Sequence, residues 1–257
     1  MIYIDKYAYF NALKDVHPAE KFAFAILTML ITVSSDSLIV PVAAFLCMSG
    51  AILFGARIPV LFYGKLLLLP LFFLAAGAGS VAIEMNSRNM LFDVTLFGNR
   101  LGISLYGLHL ALKILMKSLG SVSCLYFLIL TVPVTEILHI LIKLKTPRLF
   151  VELLAIVYKY IFLVFETMSR IYVSQKSRLG YQSYGRGFRS LGRLAASTFI
   201  ISLKRYEDMY NALESRCFTG QLHFYRRPYS FSKINAVFIL VFDVSLLGMS
   251  LYFGGNP

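Results

Sequence analysis

Apolar residues in this chain gather into long runs separated by short polar breaks. Phe22–Val33 is apolar, "SSDS" (Ser34–Ser37) interrupts it, and Leu38–Phe54 is apolar again. The pattern predicts two short spans joined by a tight polar turn, near the lower limit of the roughly 17–25 residues that cross a bilayer. Lys65 opens a third run, Leu66–Ile83, in which Gly77 and Gly79 permit close helix approach. Glu84 to Gly102 reads as a polar connection with Gly98 and Asn99 as turn formers. A fourth span follows from about Ser104 to Val132, and a fifth is Ile234–Phe253.

Between the fourth and fifth runs the period is helical but the polarity changes. Pro133 stops the fourth span, and "TEILHILIKLKTPR" (Thr135–Arg148) is a short amphipathic helix with Ile137, Leu138, Leu141 and Leu144 on one side. Leu149 to about Arg178 holds one helical pattern without Gly or Pro. Thirty residues at about 1.5 Å each make roughly 45 Å. Its first half is apolar enough to lie in or against a membrane, while Glu166, Arg170, Lys176 and Arg178 keep the second half in water. "GYQSYGRGFRSLG" (Gly180–Gly192) is the expected turn. A second helix, roughly Leu191–Arg216, then carries Leu194, Thr198, Ile201, Met209 and either Ala212 or Leu213 on one flank.

Composition sharpens this picture. Hydrophobic residues make up 58% of the 257 and charged residues only 15%, against about 45–50% and 25% in soluble domains. The fold class expected is an all-α polytopic membrane protein with about five transmembrane helices and two long helices outside the bilayer. Its parts are an N-terminal transmembrane region (1–148), an extramembrane helical region (149–233) and a C-terminal span (234–257). Net charge is +12. Residues 170–227 hold eleven Lys/Arg against Glu207, Asp208 and Glu214, so this segment carries +8 of that total. Such an excess marks a cytoplasmic segment rather than a nucleic-acid surface. It places the N-terminus inside and the tail after Phe253 outside. Residues 1–21 mix Tyr, Asp, Lys and Glu, and no small-residue cleavage site follows the first run, so a cleaved signal is not expected.

Candidate chemistry is sparse. Cys47, Cys124 and Cys217 have no CxxC partner, and His17, His109, His139 and His223 are scattered, so no metal site, disulfide framework or cofactor is expected. The glycines of the 180–192 segment lack the spacing of a phosphate loop. No nucleophile–base pair appears, and the chain is not expected to be an enzyme. His17 precedes Pro18, Glu20 and Lys21 and reads as a helix start. Lys113 and Lys117 share one face of the fourth span. Asp243, an acid within the fifth span, is a functional candidate by position. The simpler expectation is that it pairs with Lys113 or Lys117 and fixes helix packing.

Two Ser-Arg pairs remain: "KSRLG" (Lys176–Gly180) and "ESRCFTG" (Glu214–Gly220), 38 residues apart. Each closes a long helix. Gly180 and Gly220 are expected to supply the left-handed residue that ends helices, and the arginines complement the helix dipole. Capping accounts for either end alone. Two equivalent ends on consecutive helices suggest matching docking points for two copies of an acidic partner.

At this point the chain resembles the T component, the transmembrane coupling subunit, of energy-coupling-factor (ECF) importers, nearest the cobalt/nickel CbiQ type. The pieces are "HPAEK" (His17–Lys21), "SLGSVSCLYFLILTVP" (Ser118–Pro133), "TPRLFVELLAIVYKYIF" (Thr146–Phe162), "GRGFRSLG" (Gly185–Gly192) and "ESRCFTG". The resemblance implies that each coupling helix ends in an Ala-Arg-Gly-like motif whose arginine docks in a groove of one ATP-hydrolysing subunit. Here these motifs are Ser177-Arg178-Leu179 and Ser215-Arg216-Cys217, with serine for alanine and a changed third residue. Gly180, Gly185, Gly187 and Gly220 mark the helix ends and the turn. The partners implied are two ATP-binding subunits, a substrate-binding membrane (S) subunit and the lipid bilayer of a bacterial or archaeal inner membrane, with nucleic acid excluded. Cobalt or nickel is the implied substrate. A T component serving vitamin-type S subunits is the alternative, and a self-sufficient secondary transporter a further one; no internal repeat supports the latter.

Overall fold

The computed structural model describes residues 3–85, 90–96, 99–217, 229 and 232–254. It divides into two units, one formed by residues 2–137 together with 228–257 and the other by residues 138–227.

The first unit is a helical bundle. It comprises α1 (Tyr3–Phe10), α2 (Pro18–Ser34), α3 (Ile39–Gly50, continued by a π turn over Ala51–Gly55), α4 (Val60–Ala82), α5 (Leu105–Thr131) and α9 (Lys233–Gly254). Among the described residues, three helices are long and apolar enough to cross a membrane: Val60–Val81, Gly107–Thr131 and Ile234–Tyr252. Ile39–Gly55 is a shorter apolar helix. The fourth apolar run therefore becomes α5 and the fifth becomes α9, while α4 starts five residues before Lys65.

Helix α5 is the hub, packing on α1, α2, α3 and α4. Its Cys124, Phe127 and Leu130 join Phe24, Met48, Ile52 and Tyr63 in the main core, and Phe24 sits edge-on to Phe127 and Phe242 at 5.6 and 5.7 Å. On α4, by contrast, Leu61, Leu69, Phe72 and Phe73 are exposed. Apolar surface of that extent fits lipid rather than water. Buried threonines inside the bundle are satisfied by their own helices, while Asn11 Oδ1 and Asp243 Oδ2 are buried without a hydrogen-bond partner among the described residues. Thr28, Thr32 and Thr131 return their hydroxyls to Phe24, Thr28 and Phe127 carbonyls, one turn back, at 2.6–2.7 Å.

Close helix approach occurs at a glycine other than the expected pair. A Cβ on Gly120 of α5 would lie 2.9 Å from the Pro41 carbonyl oxygen of α3 and 3.0 Å from Thr32 Cγ2 of α2, whereas Gly77 and Gly79 have nothing within 4 Å.

The termini of the helices are tied by polar contacts. Lys21, buried at the start of α2, donates to the carbonyls of Leu13 (2.9 Å) and Thr131 (3.0 Å), the latter an orphan acceptor at the end of α5. Asn11 donates to Leu130 O at 3.2 Å. Buried Glu20 accepts from Ser232 N at 2.9 Å and Asn235 Nδ2 at 3.2 Å, capping α9 from another helix. His17 Nδ1 accepts from Ala19 N at 3.1 Å, the helix-start role read from the sequence. The starts of α2 and α9 and the end of α5 thus share one end of the bundle. Toward the other end, Lys113 pairs with Asp36 of the α2–α3 turn at 3.3 Å.

That pairing corrects the expectation for Asp243. Asp243 is buried in α9 against Thr28 Oγ1 at 3.0 Å, and neither Lys113 nor Lys117 lies within ion-pair distance of it. Helix α5 presents Lys113 to the polar turn, where water and Asp36 meet its charge at lower cost than the apolar interior would.

The described residues of the connection from Glu84 to Gly102 lie in strands. With their neighbours they form a three-stranded antiparallel sheet of β1 (Ile83–Met85), β2 (Met90–Leu96) and β3 (Asn99–Ser104), in the order β1-β3-β2. Ile83 pairs with Ile103, and Asp93 with Gly102. "MLFDVTL" and "NRLGIS" carry enough β-branched and alternating apolar positions to pair. Gly98 lies outside the described residues. The sheet is a local addition to a helical membrane protein.

The second unit contains the rest of the short amphipathic helix α6 (Val134–Lys143), then α7 (Arg148–Ser177) and α8 (Tyr184–Glu214). Leu138, Leu141, Val151, Leu154 and Ala155 form its cluster between α6 and α7. Helix α7 packs along α8, where Leu194 and Thr198 are buried.

Candidate docking site

The two Ser-Arg motifs stand at equivalent positions. Ser177 is the last residue of α7 and Arg178 its C-cap; Ser215 is the C-cap of α8 and Arg216 follows. Ser177 Oγ donates to Val173 O at 3.0 Å, and Ser215 Oγ donates to Asn211 O at 2.7 Å, each one turn back. The serines therefore turn inward on their own helices and leave the arginines free. Arg178 and Arg216 are exposed, and neither forms an ion pair among the described residues.

The left-handed residue is not glycine at either end. Leu179 has φ 61° and Cys217 φ 57°. Leu179 N donates to Lys176 O and Cys217 N to Glu214 O, both at 3.0 Å. At the first end Gly180 N reaches Gln175 O at 2.9 Å, which completes a Schellman closure with leucine at its left-handed position. A left-handed L-residue costs roughly 1–2 kcal/mol. Gly180 serves a different need: a Cβ there would lie 2.9 Å from both Gln175 O and Ser190 Oγ. Ser190 Oγ donates to Gly180 O at 2.9 Å, and Tyr181 donates to Gln175 Oε1 at 2.7 Å, so the turn is pinned to both helices. Gly220 lies outside the described residues.

Gly185 and Gly187 are not in the turn but in the first turn of α8, which starts at Tyr184 instead of near Leu191. Extended Ser183 forms the N-cap, and Gly187 N donates to its carbonyl at 2.7 Å. Glycine weakens a helix by about 1 kcal/mol relative to alanine. Packing of the continuous α8 face on α7 overrides that local preference.

The first half of α7, read as apolar enough to lie in or against a membrane, forms an open apolar groove with α8 that the sequence reading did not place. An open groove of about 250 Å³ between α7 and α8 is lined by Ile156, Val157, Tyr160, Phe199, Leu203 and Tyr206. Along α7, Phe150, Leu153, Val157, Ile161, Phe165 and Met168 remain exposed at intervals of three or four residues. The signal was present as a second apolar stripe on α7, beyond the one needed against α8. Among the described residues, no three His, Cys, Asp or Glu side chains converge as metal ligands.

A bundle of apolar, lipid-suited helices, joined in sequence to a long helix pair with exposed arginines at matched ends, defines a multi-pass membrane protein. The chain belongs to the CbiQ cobalt transport protein family, whose model matches residues 11–225. It is 32% identical to an uncharacterized protein of Methanocaldococcus jannaschii over 95% of this chain and 91% of that one. It is 24% identical to the cobalt transport protein CbiQ of Salmonella typhimurium, over 86% of this chain and 98% of that one. A putative fused cobalt transport protein CbiMQ of Methanocorpusculum labreanum is 27% identical over 96% of this chain, which spans 41% of that longer protein.

Proposed function

We propose that this chain is the energy-coupling membrane component of an ECF-type importer of cobalt. It links two ATP-binding subunits to a separate substrate-binding membrane subunit and catalyses no reaction itself. The observation that carries this reading is the pair of matched helix ends, Ser177-Arg178 and Ser215-Arg216, each with an inward serine and an unpaired, exposed arginine. Two like ends fit two like partners. The basic excess of residues 170–227 supports a cytoplasmic position for them. ATP-driven approach of the two partners displaces Arg178 relative to Arg216, and the long helices α7 and α8 carry that displacement away from the docking ends. Their open apolar groove and the exposed stripe on α7 suit a membrane subunit as the recipient.

The test is recovery of the ATP-binding subunits on the tagged chain. If Arg178 and Arg216 only cap helices, replacing either costs about 0.3–1 kcal/mol of stability and leaves the complex intact. If each meets a carboxylate in a groove, removing one partner of a buried pair costs about 3–5 kcal/mol, several-hundredfold or more in affinity. Arg178→Glu/Arg216→Glu is expected to abolish ATP-dependent cobalt uptake and to lose the ATP-binding subunits while still inserting in the membrane. Arg→Lys rescues in part, because lysine lacks the planar fork. Normal uptake and normal recovery in the double Glu variant would leave capping as the whole account.

A further inference from the structure

We propose that Glu20 and Lys21, in the first turn of α2, are positioning residues for energy coupling. Between them they hold both stretches of chain that join the bundle to the long helix pair, and through this clamp a displacement of α7 and α8 reaches the spans. The inference rests on the coupling reading above and says where in this chain the motion enters the bundle.

The chain leaves the bundle unit between residues 137 and 138 and returns to it between residues 227 and 228. Motion of the helix pair enters the spans covalently through these two stretches. At the exit, Pro133 has no N–H to give, so the last carbonyls of α5 need donors from elsewhere. Lys21 Nζ donates to Thr131 O at 3.0 Å and to Leu13 O at 2.9 Å, and Asn11 Nδ2 donates to Leu130 O at 3.2 Å. Just past the corner, the Tyr9 and Thr135 hydroxyls share a hydrogen bond at 3.3 Å. At the return, Glu20 accepts from Ser232 N at 2.9 Å and from Asn235 Nδ2 at 3.2 Å. A further bond yokes the two stretches to each other: Tyr229 Oη donates to Glu136 Oε1 at 3.0 Å. The Tyr229 ring stands edge-on to His17, the N-cap of α2, with ring centres 6.1 Å apart. Holding the fold does not by itself call for this arrangement. Glu20 and Lys21 are adjacent and each only 5% exposed, and buried charges are costly even when hydrogen bonds meet them. What adjacent charges on one helical turn add is a fixed relation between exit and return, since neither stretch can shift without pulling on α2. Helix α2 packs on both α5 and α9, so a pull at its first turn is shared by both spans.

The experiment places the whole importer, with its ATP-binding and substrate-binding subunits co-purified on the tagged chain, in lipid vesicles. It reads subunit recovery, ATP hydrolysis and cobalt imported per ATP hydrolysed. Lys21→Met and Glu20→Gln are expected to recover the subunits and to hydrolyse ATP near the parental rate. Cobalt per ATP is expected to fall roughly tenfold, the shift between held and released corner that losing a hydrogen bond to a charged group brings. Tyr229→Phe, which removes one hydroxyl and keeps the ring beside His17, is expected to lower the ratio severalfold. Glu136→Gln, whose amide oxygen still accepts from the tyrosine, is expected to keep it. A purely structural role would lower melting temperature, subunit yield, uptake and hydrolysis together and leave the ratio at its parental value. Should the two buried-charge variants fail to fold, Tyr229→Phe decides, and a parental ratio in that variant overturns the proposal. The parent separates the two failures: no ATP-binding subunit recovered on it sinks the coupling reading, whereas a coupled parent with parental ratios in every variant sinks the clamp alone.

Discussion

Gly120 offers the sharpest test of how the bundle is packed. Changing it to alanine sets two effects of opposite sign against each other. Alanine is favoured over glycine in a helix interior by about 1 kcal/mol, so substitution in α5 ought to stabilise. The new Cβ, however, would lie 2.9 Å from the Pro41 carbonyl oxygen, 3.0 Å from Thr32 Cγ2 and 3.4 Å from Pro41 Cα. The nearest contact is backbone, which cannot swing aside as a side-chain tip can. Helix α3 must retreat by about half an ångström from α5, and overpacking of this kind costs about 1–3 kcal/mol. The clash outweighs the helix preference, leaving a net loss of up to about 2 kcal/mol. At roughly 2–4 °C per kcal/mol for a domain of this size, Gly120→Ala is expected to melt lower than the parent, by up to about 8 °C. Gly248→Ala in α9 is the control, since a Cβ there meets nothing within 4 Å, and it is expected to melt at or above the parent. A thiol-reactive fluorogenic dye reads the transition in detergent, because Cys124 is fully buried until the bundle opens. Cys217 is exposed and Cys47 only half-buried, and both are replaced by serine beforehand. Gly120→Ala melting at or above the parent, as the control does, would refute the close crossing of α3 and α5.

The other expectations concern the capped span, the topology and autonomy. Glu20→Ala leaves Ser232 N–H and the Asn235 amide without their acceptor, at about 1–3 kcal/mol for each buried group left unpaired, and hydrogen exchange at the start of α9 should accelerate while that of α4 stays unchanged. On a cysteine-free background, Asp36→Cys and Asn256→Cys should label from outside the cell and Lys145→Cys only after the membrane is breached; labelling of Asn256→Cys from the cytoplasm alone would change the number of spans. The purified chain by itself should neither hydrolyse ATP nor bind cobalt or nickel in stoichiometric amounts, measured by phosphate release and by equilibrium dialysis.

The membrane class, the positions of the apolar helices and the two arginine-bearing ends were all legible in the amino-acid order. Each rests on a property that is local or cumulative along the chain: run length against bilayer thickness, charge excess over a segment, and a Ser-Arg pair at the close of a helical period. What tertiary structure decided was which neighbour each buried group meets. Asp243 and Lys113 are both costly within a span, and pairing them was reasonable on charge alone. Only the packing of α9 on α2 and of α5 near the α2–α3 turn assigns Thr28 to the first and Asp36 to the second. Gly77 and Gly79 carry the small-residue signal for close approach, yet close approach needs a partner helix, and the backbone of α3 stands at Gly120 instead. The start of α8 was misplaced because glycine propensity is a weak local preference and the α7 face is a non-local gain. The left-handed positions at Leu179 and Cys217 lay hidden for the opposite reason: glycine stood nearby in the sequence, and only backbone geometry reveals that the turn is made one residue before Gly180 and three before Gly220.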